Sequence, residues 1–270
     1  MKKITFEIQY ILPMLRATLF YLTLTLLSFD GFAQGSLDPQ QNVGIIYSHE
    51  RTFNLRLATS RSMAVGMEFG KLRTYDKTKT WNISLGELKH PKEQRQSADP
   101  RASRAFRPFV YAKQNSLFVV RAGWGAKKYF SEKAKQKGVA IGMSYSIGPS
   151  LGLLKPYYLA LAIESDGGTS YRVRHQKYSS ENAKIFLDNT RILGASPFTR
   201  GIGESSFLPG GNASIAYHMD WGAFDEMVKA LEIGLMVDVF AKKAPIFVSD
   251  TQNKQVFFNF FLNLQFGKRR

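Results

Sequence analysis

The chain has 270 residues, contains no cysteine and carries a formal net charge of +16 at pH 7. The lack of cysteine excludes disulfide bonds and thiolate-ligated metal centres, so stability must come from packing and hydrogen bonding. Such an excess of basic residues often indicates nucleic-acid binding, but an N-terminal export signal argues against that partner and favours an anionic membrane surface.

The N-terminus has the three parts of a secretory signal peptide. Basic residues precede an apolar run from Ala17 to Phe29. This run is shorter than the ~20 residues that a transmembrane helix needs. Gly31 and Ala33 then place small residues at the positions that signal peptidase recognises. We predict a signal peptide over residues 1–33 with cleavage after Ala33; a retained membrane anchor is the alternative.

Alternation of apolar and polar residues recurs through the rest of the chain. In Val139–Ile147 the apolar side chains occupy odd positions, and small ones such as Gly142 and Ser144 occupy even ones. On a helix, residues two apart point in nearly opposite directions, so only a β-strand places this apolar set on one face. The last strand, Phe258–Gly267, turns phenylalanine and leucine to one side. An aromatic-rich strand of this kind is typical of an outer-membrane β-barrel.

Ten such segments predict an all-β fold: a transmembrane antiparallel β-barrel of about ten strands over 51–270, after an N-terminal segment over 34–50. Tilted strands of ~10 residues span ~23 Å, which matches the apolar band of an outer membrane. Twelve strands is the alternative, if Val43–Ser48 and Pro245–Ser249 pair as well. The ten predicted strands are 53–58, 65–70, 81–86, 109–113, 118–124, 139–147, 157–164, 214–221, 231–239 and 258–267.

The joins between these strands alternate in length. With the N-terminus in the periplasm, the joins at 74–79, 114–115, 148–155 and 222–228 lie on the periplasmic side and are short. Most of the joins on the other side, including 126–137, are longer. Short periplasmic turns and long outer loops are the rule for outer-membrane barrels.

The main alternative fold is a soluble exported β-sandwich or lipocalin-like barrel, whose strands also alternate. Two features favour the membrane barrel. The polar face is rich in small residues, as a narrow lumen requires, and aromatic residues lie near strand ends, as in an interfacial girdle. These aromatic residues are Trp81, Trp124, Tyr157 and Trp221.

Four stretches resemble an uncharacterised family of Bacteroidetes-type outer-membrane β-barrel proteins. They are Leu85–Glu93, Gly138–Tyr158, Ser196–Gly201 and Asn259–Arg269. The resemblance implies a barrel and an outer-membrane location. It implies no activity, catalytic residue or cofactor.

Charged residues of both signs occupy the face that alternation turns inward. An unpaired charge in a narrow lumen is costly, so we predict a polar network that fills and stiffens the barrel. A narrow, gated conduit that favours cations is the alternative. The predicted lumen residues are Arg56, Glu68, Arg121, Glu164, His218, Asp220, Glu232 and Asp238.

Catalysis is the weaker alternative. His218 and Asp220 share a face, with Glu232 on the next strand, and a histidine oriented by a carboxylate is the core of general-base catalysis. This spacing arises easily by chance on any lumen face, and the sequence has no nucleophile elbow and no HExxH motif. We therefore predict no catalytic residue, no cofactor and no metal site, with a lipid A- or phospholipid-modifying barrel enzyme kept as an alternative.

Basic residues concentrate in the predicted loops. Lipid phosphates pair well with lysine and arginine, so these loops predict contact with outer-membrane lipids, including lipopolysaccharide phosphates. The predicted loop residues are Lys89, Lys92, Arg95, Lys127, Lys128, Lys133, Lys135, Arg172 and Arg174.

The longest predicted loop, 165–210, contains several aromatic residues and is much longer than a simple connection between two strands. We predict that it caps the lumen. The chain as a whole is predicted to have a structural or binding role in the cell envelope, with a protein partner left unidentified. A narrow channel and a barrel enzyme remain the alternatives.

Overall fold

The computed structural model describes residues 48–74, 76–97, 107–130, 139–164, 171–221, 227–249, 251 and 253–270. The predicted leader and its cleavage site lie outside these residues, as do Lys133 and Lys135. No α-helix in the described part of the chain has the length and apolar character needed to cross a membrane.

The described elements are thirteen β-strands, one short α-helix and one 3₁₀ helix. The strands are β1 (His49–Ala58), β2 (Met63–Thr74), β3 (Lys77–Leu88), β4 (Arg95–Gln96), β5 (Phe109–Val110), β6 (Asn115–Tyr129), β7 (Ala140–Pro156), β8 (Tyr158–Glu164), β9 (Tyr171–Lys177), β10 (Ile192–Ala195), β11 (Ser206–Asp220), β12 (Met227–Phe240) and β13 (Val256–Arg269). The helices are α1 (Ala183–Phe186) and η1 (Ile202–Glu204).

Eight of these strands form one closed antiparallel barrel, in the order β1-β13-β12-β11-β7-β6-β3-β2. The first and last strands pair along their length, from Glu50 opposite Arg269 to Ala58 opposite Phe261. The predicted all-β barrel is therefore confirmed, but the predicted count of ten strands, and the alternative of twelve, are wrong.

Two predicted strands lie outside the barrel. The segment predicted at 109–113 is reduced to the two-residue strand β5, which pairs only with β4. The segment predicted at 157–164 is β8, the central strand of a separate three-stranded sheet with β9 and β10. Alternation of apolar and polar residues predicts a strand with one buried and one exposed face, but it does not identify the sheet to which the strand belongs. Strand β8 shows the alternation because Leu159 and Leu161 pack into a separate small core.

The predicted turn at 148–155 is instead part of the second half of the long strand β7. A Cβ atom on Gly148 would lie 2.2 Å from the Ala122 carbonyl oxygen, so this glycine permits close approach of two strands rather than a turn. Pro149 has no N–H to donate to β6. The Asn212 side-chain amide donates to the carbonyls of Ala122, Gly148 and Pro149 at 3.3, 3.1 and 2.9 Å, so the ladder continues past the proline.

The corrected strand count reverses the direction of β6 and β7. The terminal end of the barrel, which holds His49 and Arg269, also holds the β2–β3, β6–β7 and β11–β12 connections. The opposite end, here the loop end, holds the longer β3–β6, β7–β11 and β12–β13 connections and the short β1–β2 turn. The β6–β7 join, predicted on the side of the long loops, therefore lies with the short turns.

The outer wall of the barrel is apolar on every barrel strand. Trp124, Ile147 and Tyr217 are 63%, 67% and 64% exposed. The inward positions of the same strands are mostly buried, so each strand has one covered and one open face. The open large apolar residues on the wall include Phe53, Val65, Met67, Trp81, Ile83, Leu85, Ile141, Tyr145, Leu151, Phe207, Ile215, Ile233, Val239, Phe258, Phe260 and Phe266.

The β7–β11 connection folds on itself at the loop end. The sheet β10-β8-β9 and helix α1 enclose a second apolar core formed by Phe109, Leu159, Leu161, Phe186 and Ile192. This connection is therefore a small structured unit with its own packing.

We expect Gly148→Ala to lower the free energy of unfolding by about 1–3 kcal/mol, because the added methyl group must displace backbone atoms of β6. Gly211 on the neighbouring strand is the matched control: its Cβ would meet nothing closer than 3.6 Å, and Gly211→Ala should change stability by less than about 0.5 kcal/mol. Urea titration in detergent micelles measures both. Equal effects of the two substitutions would contradict the close approach at Gly148.

Candidate functional site: the filled barrel interior

The barrel interior has two zones of different chemistry. Charged and amide side chains fill the interior from the terminal end to beyond its middle, and apolar side chains fill the mouth at the loop end. The inward parity of each strand brings these side chains together, because residues two apart point to the same face of the sheet.

Lys127 on β6 is the centre of the charged zone. Its Nζ atom lies 2.6 Å from Glu68 Oε1 on β2 and 3.1 Å from Glu50 Oε1 on β1, and it donates to Gln265 Oε1 on β13 at 3.0 Å. The residue is 1% exposed. A single ammonium group thus joins four strands across the lumen, and its two carboxylate partners offset the cost of burying it.

Arg269 on β13 extends this network to the terminal end. Its Nε atom donates to Glu50 Oε2 at 2.9 Å, and its Nη2 atom donates to Asp220 on β11. Glu50 therefore accepts hydrogen bonds from both Lys127 and Arg269, which links the two cations through one carboxylate.

Arg121 and Asp238 form a separate pair across the lumen. The Arg121 guanidinium donates from Nε to Asp238 Oδ1 at 2.6 Å and from Nη2 to Oδ2 at 2.9 Å. The two residues lie on β6 and β12, which are separated by two intervening strands. This bidentate geometry is the strongest arrangement available to an arginine and a carboxylate, and it ties opposite walls together.

His218 on β11 belongs to a third cluster. Its Nδ1 atom lies 3.1 Å from Glu232 Oε1, and its Nε2 atom lies 3.3 Å from the Tyr129 hydroxyl. Asn263 donates to the other Glu232 oxygen at 2.8 Å. Because both ring nitrogens are engaged and the side chain is fully buried, this histidine is held as a structural member of the wall.

Arg56 has mostly non-ionic contacts. Its guanidinium lies 4.6 Å above the Phe261 ring, and Nη1 lies 3.4 Å from the Met236 sulfur. The cation–π contact stabilises the charge in the middle of the barrel, where Phe261 and Met236 form a small apolar cluster with Ala216.

The β12–β13 connection closes the loop end of the interior. Asn253 holds this segment in place, because its side-chain oxygen accepts the Phe247 N–H at 2.9 Å and its amide donates to the Phe247 carbonyl at 3.0 Å. Ala244, Ile246 and Phe247 of this connection lie in the apolar plug of the mouth, whereas the described part of the 165–210 loop, which the sequence predicts as a cap, contributes Leu208 to it. The apolar plug comprises Leu88, Val110, Leu117, Val119, Leu154, Leu208, Phe240, Ala244, Ile246, Phe247 and Phe257.

A polar layer on the β3–β6 connection supports the plug. Lys113 Nζ lies 2.6 Å from Glu93 Oε2 with both side chains buried. His90 packs edge-on against Phe247, with ring centroids 5.3 Å apart. Burial lowers the pKa of the His90 imidazole, which favours the neutral ring whose Nδ1 accepts the Lys92 N–H at 3.2 Å.

Seven of the eight predicted lumen residues lie on inward positions of barrel strands. Glu164 does not, because it ends β8 in the separate three-stranded sheet. Lys127, predicted as a loop residue, is instead buried in the interior, because the loop that the sequence places at 126–137 begins only after β6 ends at Tyr129. The seven are Arg56, Glu68, Arg121, His218, Asp220, Glu232 and Asp238.

The remaining predicted basic residues are divided between the two ends of the barrel. Lys128 is exposed on the outer wall at the terminal end. Arg172 and Arg174 are exposed on β9, and Lys89, Lys92 and Arg95 lie on the β3–β6 connection. The loop end therefore carries five of the basic residues that the sequence predicts there.

Four members of the network were missed at the sequence level: Glu50, Lys127, Gln265 and Arg269. The signal was present, since all four continue the inward parity of predicted strands. They lay beyond the predicted strand ends or were counted as polar positions without a role. If each predicted strand is extended as far as its alternation continues, these four residues are identified as inward-facing.

The described residues contain no cluster of three or more His, Asp or Glu side chains suited to a metal ion. No protein-family model matches the chain, and no curated protein matches it. The resemblance to Bacteroidetes-type barrels therefore stays a prediction.

Two solved structures are similar to this chain. One is the N-terminal β-barrel domain of Pseudomonas aeruginosa OprF, with 11% identity, a TM-score of 0.34, and coverage of 82% of this chain and 96% of that chain. The other is neisserial surface protein A, with 10% identity, a TM-score of 0.36, and coverage of 82% and 92%. At these TM-scores neither likeness bears on what this chain does.

We expect Arg121→Leu to lower the free energy of unfolding by about 3–5 kcal/mol, because it leaves the Asp238 carboxylate buried without its partner. The double variant Arg121→Leu/Asp238→Leu should recover most of that loss, since it removes both charges. A double-mutant cycle from urea titrations measures the coupling. The exposed pair Lys177–Glu204 is the control, and Lys177→Met should have little effect. Additive losses at Arg121 and Asp238 would contradict a direct pair.

Proposed function

We propose that this chain is an outer-membrane β-barrel with a filled lumen and a structural or surface-binding role in the cell envelope. The observation that carries the proposal is the outer wall. Apolar side chains such as Trp124 and Ile147 are open on a barrel whose inward face is covered. An apolar band of this extent is a poor surface in water and a good one in lipid.

The closed hydrogen-bond ladder supports the same environment. A lipid bilayer offers no hydrogen-bond partner to an open strand edge, so a spanning sheet has to close on itself. The pairing of β1 with β13 achieves this closure.

The filled interior supports a structural role over a channel or an enzyme. Cross-lumen pairs such as Arg121–Asp238 cross the interior, and the plug around Phe247 fills the mouth next to this pair. An enzyme would need a substrate to reach His218, whose side chain is fully buried with both ring nitrogens engaged. A barrel of eight strands is also of the size whose interior side chains fill.

The loop end suits surface contacts. Arg172 and Arg174 are exposed on the small sheet, and Lys92 and Arg95 are exposed on the β3–β6 connection. In the proposed envelope role, the basic side chains at this end bind lipopolysaccharide phosphates.

We expect Ile147→Lys to lower the free energy of unfolding by about 2–4 kcal/mol when the protein is folded into phosphatidylcholine vesicles, because Ile147 lies near the middle of β7 on the proposed lipid face. On a wall that faces water the same substitution should be nearly neutral. Ile202→Lys is the control, since Ile202 is 52% exposed in η1, outside the barrel. Similar effects of the two substitutions would contradict the membrane assignment.

We expect the purified protein to show no single-channel steps in a planar bilayer, because side chains from both zones occupy the lumen. The folded state is checked first by its anomalous gel mobility before boiling. Regular conductance steps from the folded protein would contradict the filled lumen and favour the channel alternative.

A further inference from the structure

Basic side chains form a crescent on the outer wall at the terminal end. They point away from the lumen, because each occupies the parity opposite to the buried positions of its strand. They occur on the six adjacent strands β12-β13-β1-β2-β3-β6, a width of about 24 Å at the usual strand spacing. This basic rim comprises Arg51, Lys71, Lys77, Lys79, Lys128, Lys229 and Lys268.

The rim places like charges directly opposite one another. Three cross-strand pairs share the outer face: Arg51 with Lys268, Lys71 with Lys79, and Lys77 with Lys128. Like charges in this position repel and weaken the strand pairing. Anions bound beside these three pairs would relieve the repulsion along this edge.

The described residues provide no such anion. None of the seven rim side chains has an ion-pair partner in the described part of the chain. Asp76, in the β2–β3 turn, is the nearest described acid in sequence to Lys77. In contrast, the buried Lys127 on β6 has two carboxylate partners. Lys127 is thus neutralised by neighbouring side chains, whereas the rim cations have no carboxylate partner among the described residues.

Aromatic side chains lie directly above the rim toward the middle of the barrel. Phe69 stacks on Trp81 with ring centroids 4.5 Å apart, and Trp81 lies opposite Trp124 on the next strand. Arg51 lies opposite Phe69. The wall therefore changes from apolar to aromatic to cationic toward the terminal end, which matches the order of acyl chain, glycerol region and phosphate in a phospholipid.

We propose that the basic rim binds the phosphodiester headgroups of anionic phospholipids in the leaflet at the terminal end. Lysine and arginine form charge-assisted hydrogen bonds with phosphate oxygens, and phosphates seated between opposed cations remove their repulsion. The basic rim covers one side of the barrel, because the corresponding outward positions on β7 and β11 carry the uncharged residues Ile141 and Met219. The bound lipids therefore gather along one side of the barrel. This inference rests on the proposed membrane location.

The test uses the full chain with the Trp221→Phe substitution, so that emission comes from Trp81 and Trp124, the two tryptophans beside the rim. The protein is folded into phosphatidylcholine vesicles that contain the same fraction of either brominated phosphatidylglycerol or brominated phosphatidylcholine. At low salt we expect the anionic lipid to quench at least about twofold more strongly, and high salt should remove the difference.

Two variants with equal charge loss locate the effect. Replacing Lys71, Lys77, Lys79 and Lys128 with glutamine should abolish the preference for phosphatidylglycerol. Replacing Lys89, Lys92, Arg95 and Arg172, at the loop end, should leave it unchanged. Equal quenching by the two lipids in the parent protein, or equal loss in both variants, would overturn the proposal. The salt titration on the parent protein decides the question even where a rim variant fails to fold.

The same preparation separates this inference from the proposed function. Gel mobility before and after boiling reports whether the parent chain has folded into the vesicles. A chain that does not insert counts against the membrane barrel and the rim together. A chain that inserts and shows no preference between the two lipids counts against the rim alone.

Discussion

Closure of the backbone ladder is the constraint on which the rest of this structure depends. Once β1 pairs with β13, the sheet has no free edge, and each barrel strand must turn alternate residues inward and outward. Eight strands leave a narrow interior that has to be filled by side chains. The inward residues therefore face one another across the barrel, so the choice of each one depends on residues far away in sequence. Arg121 and Asp238, 117 positions apart, are the clearest example.

The interior of the barrel is filled in two ways, by ion pairs and by apolar packing. At the terminal end, buried cations such as Lys127 are each matched to carboxylates, because a charge without a partner in a low-dielectric interior is costly. At the loop end, the β12–β13 connection places Ile246 and Phe247 into the mouth, where apolar burial alone is enough. The ion pairs fix which strands face each other, because each of these cations lies within hydrogen-bonding distance of particular carboxylates. The plug depends on shape and tolerates a wider choice of residues.

Alternation predicted the two faces of each strand well and the number of barrel strands poorly. It placed Asp238 and Glu232 inward because period-two patterning follows directly from strand geometry. It could not separate a barrel strand from β8, because a small sheet with its own core shows the same pattern. It also mistook Gly148 and Pro149 for a turn, since glycine serves both tight turns and close strand approach. Partners across the lumen depend on strand order and stagger, which local patterning does not contain.

Closure of the barrel also influences where the charged residues lie. Most of the described inward-pointing cations are paired with carboxylates, and the excess of basic residues lies on outward positions and at the two ends of the barrel. The distribution is uneven, because the rim from Lys229 to Lys128 occupies one side of the terminal end and faces no described carboxylate. Opposed cations such as Lys71 and Lys79 weaken the strand pairing that the barrel needs, unless anions lie between them. A phosphate layer next to the aromatic row supplies those anions, and in the proposed bilayer it lies at that height. Strand closure and lipid contact are then linked, because the lipid relieves a repulsion that the barrel sequence builds in.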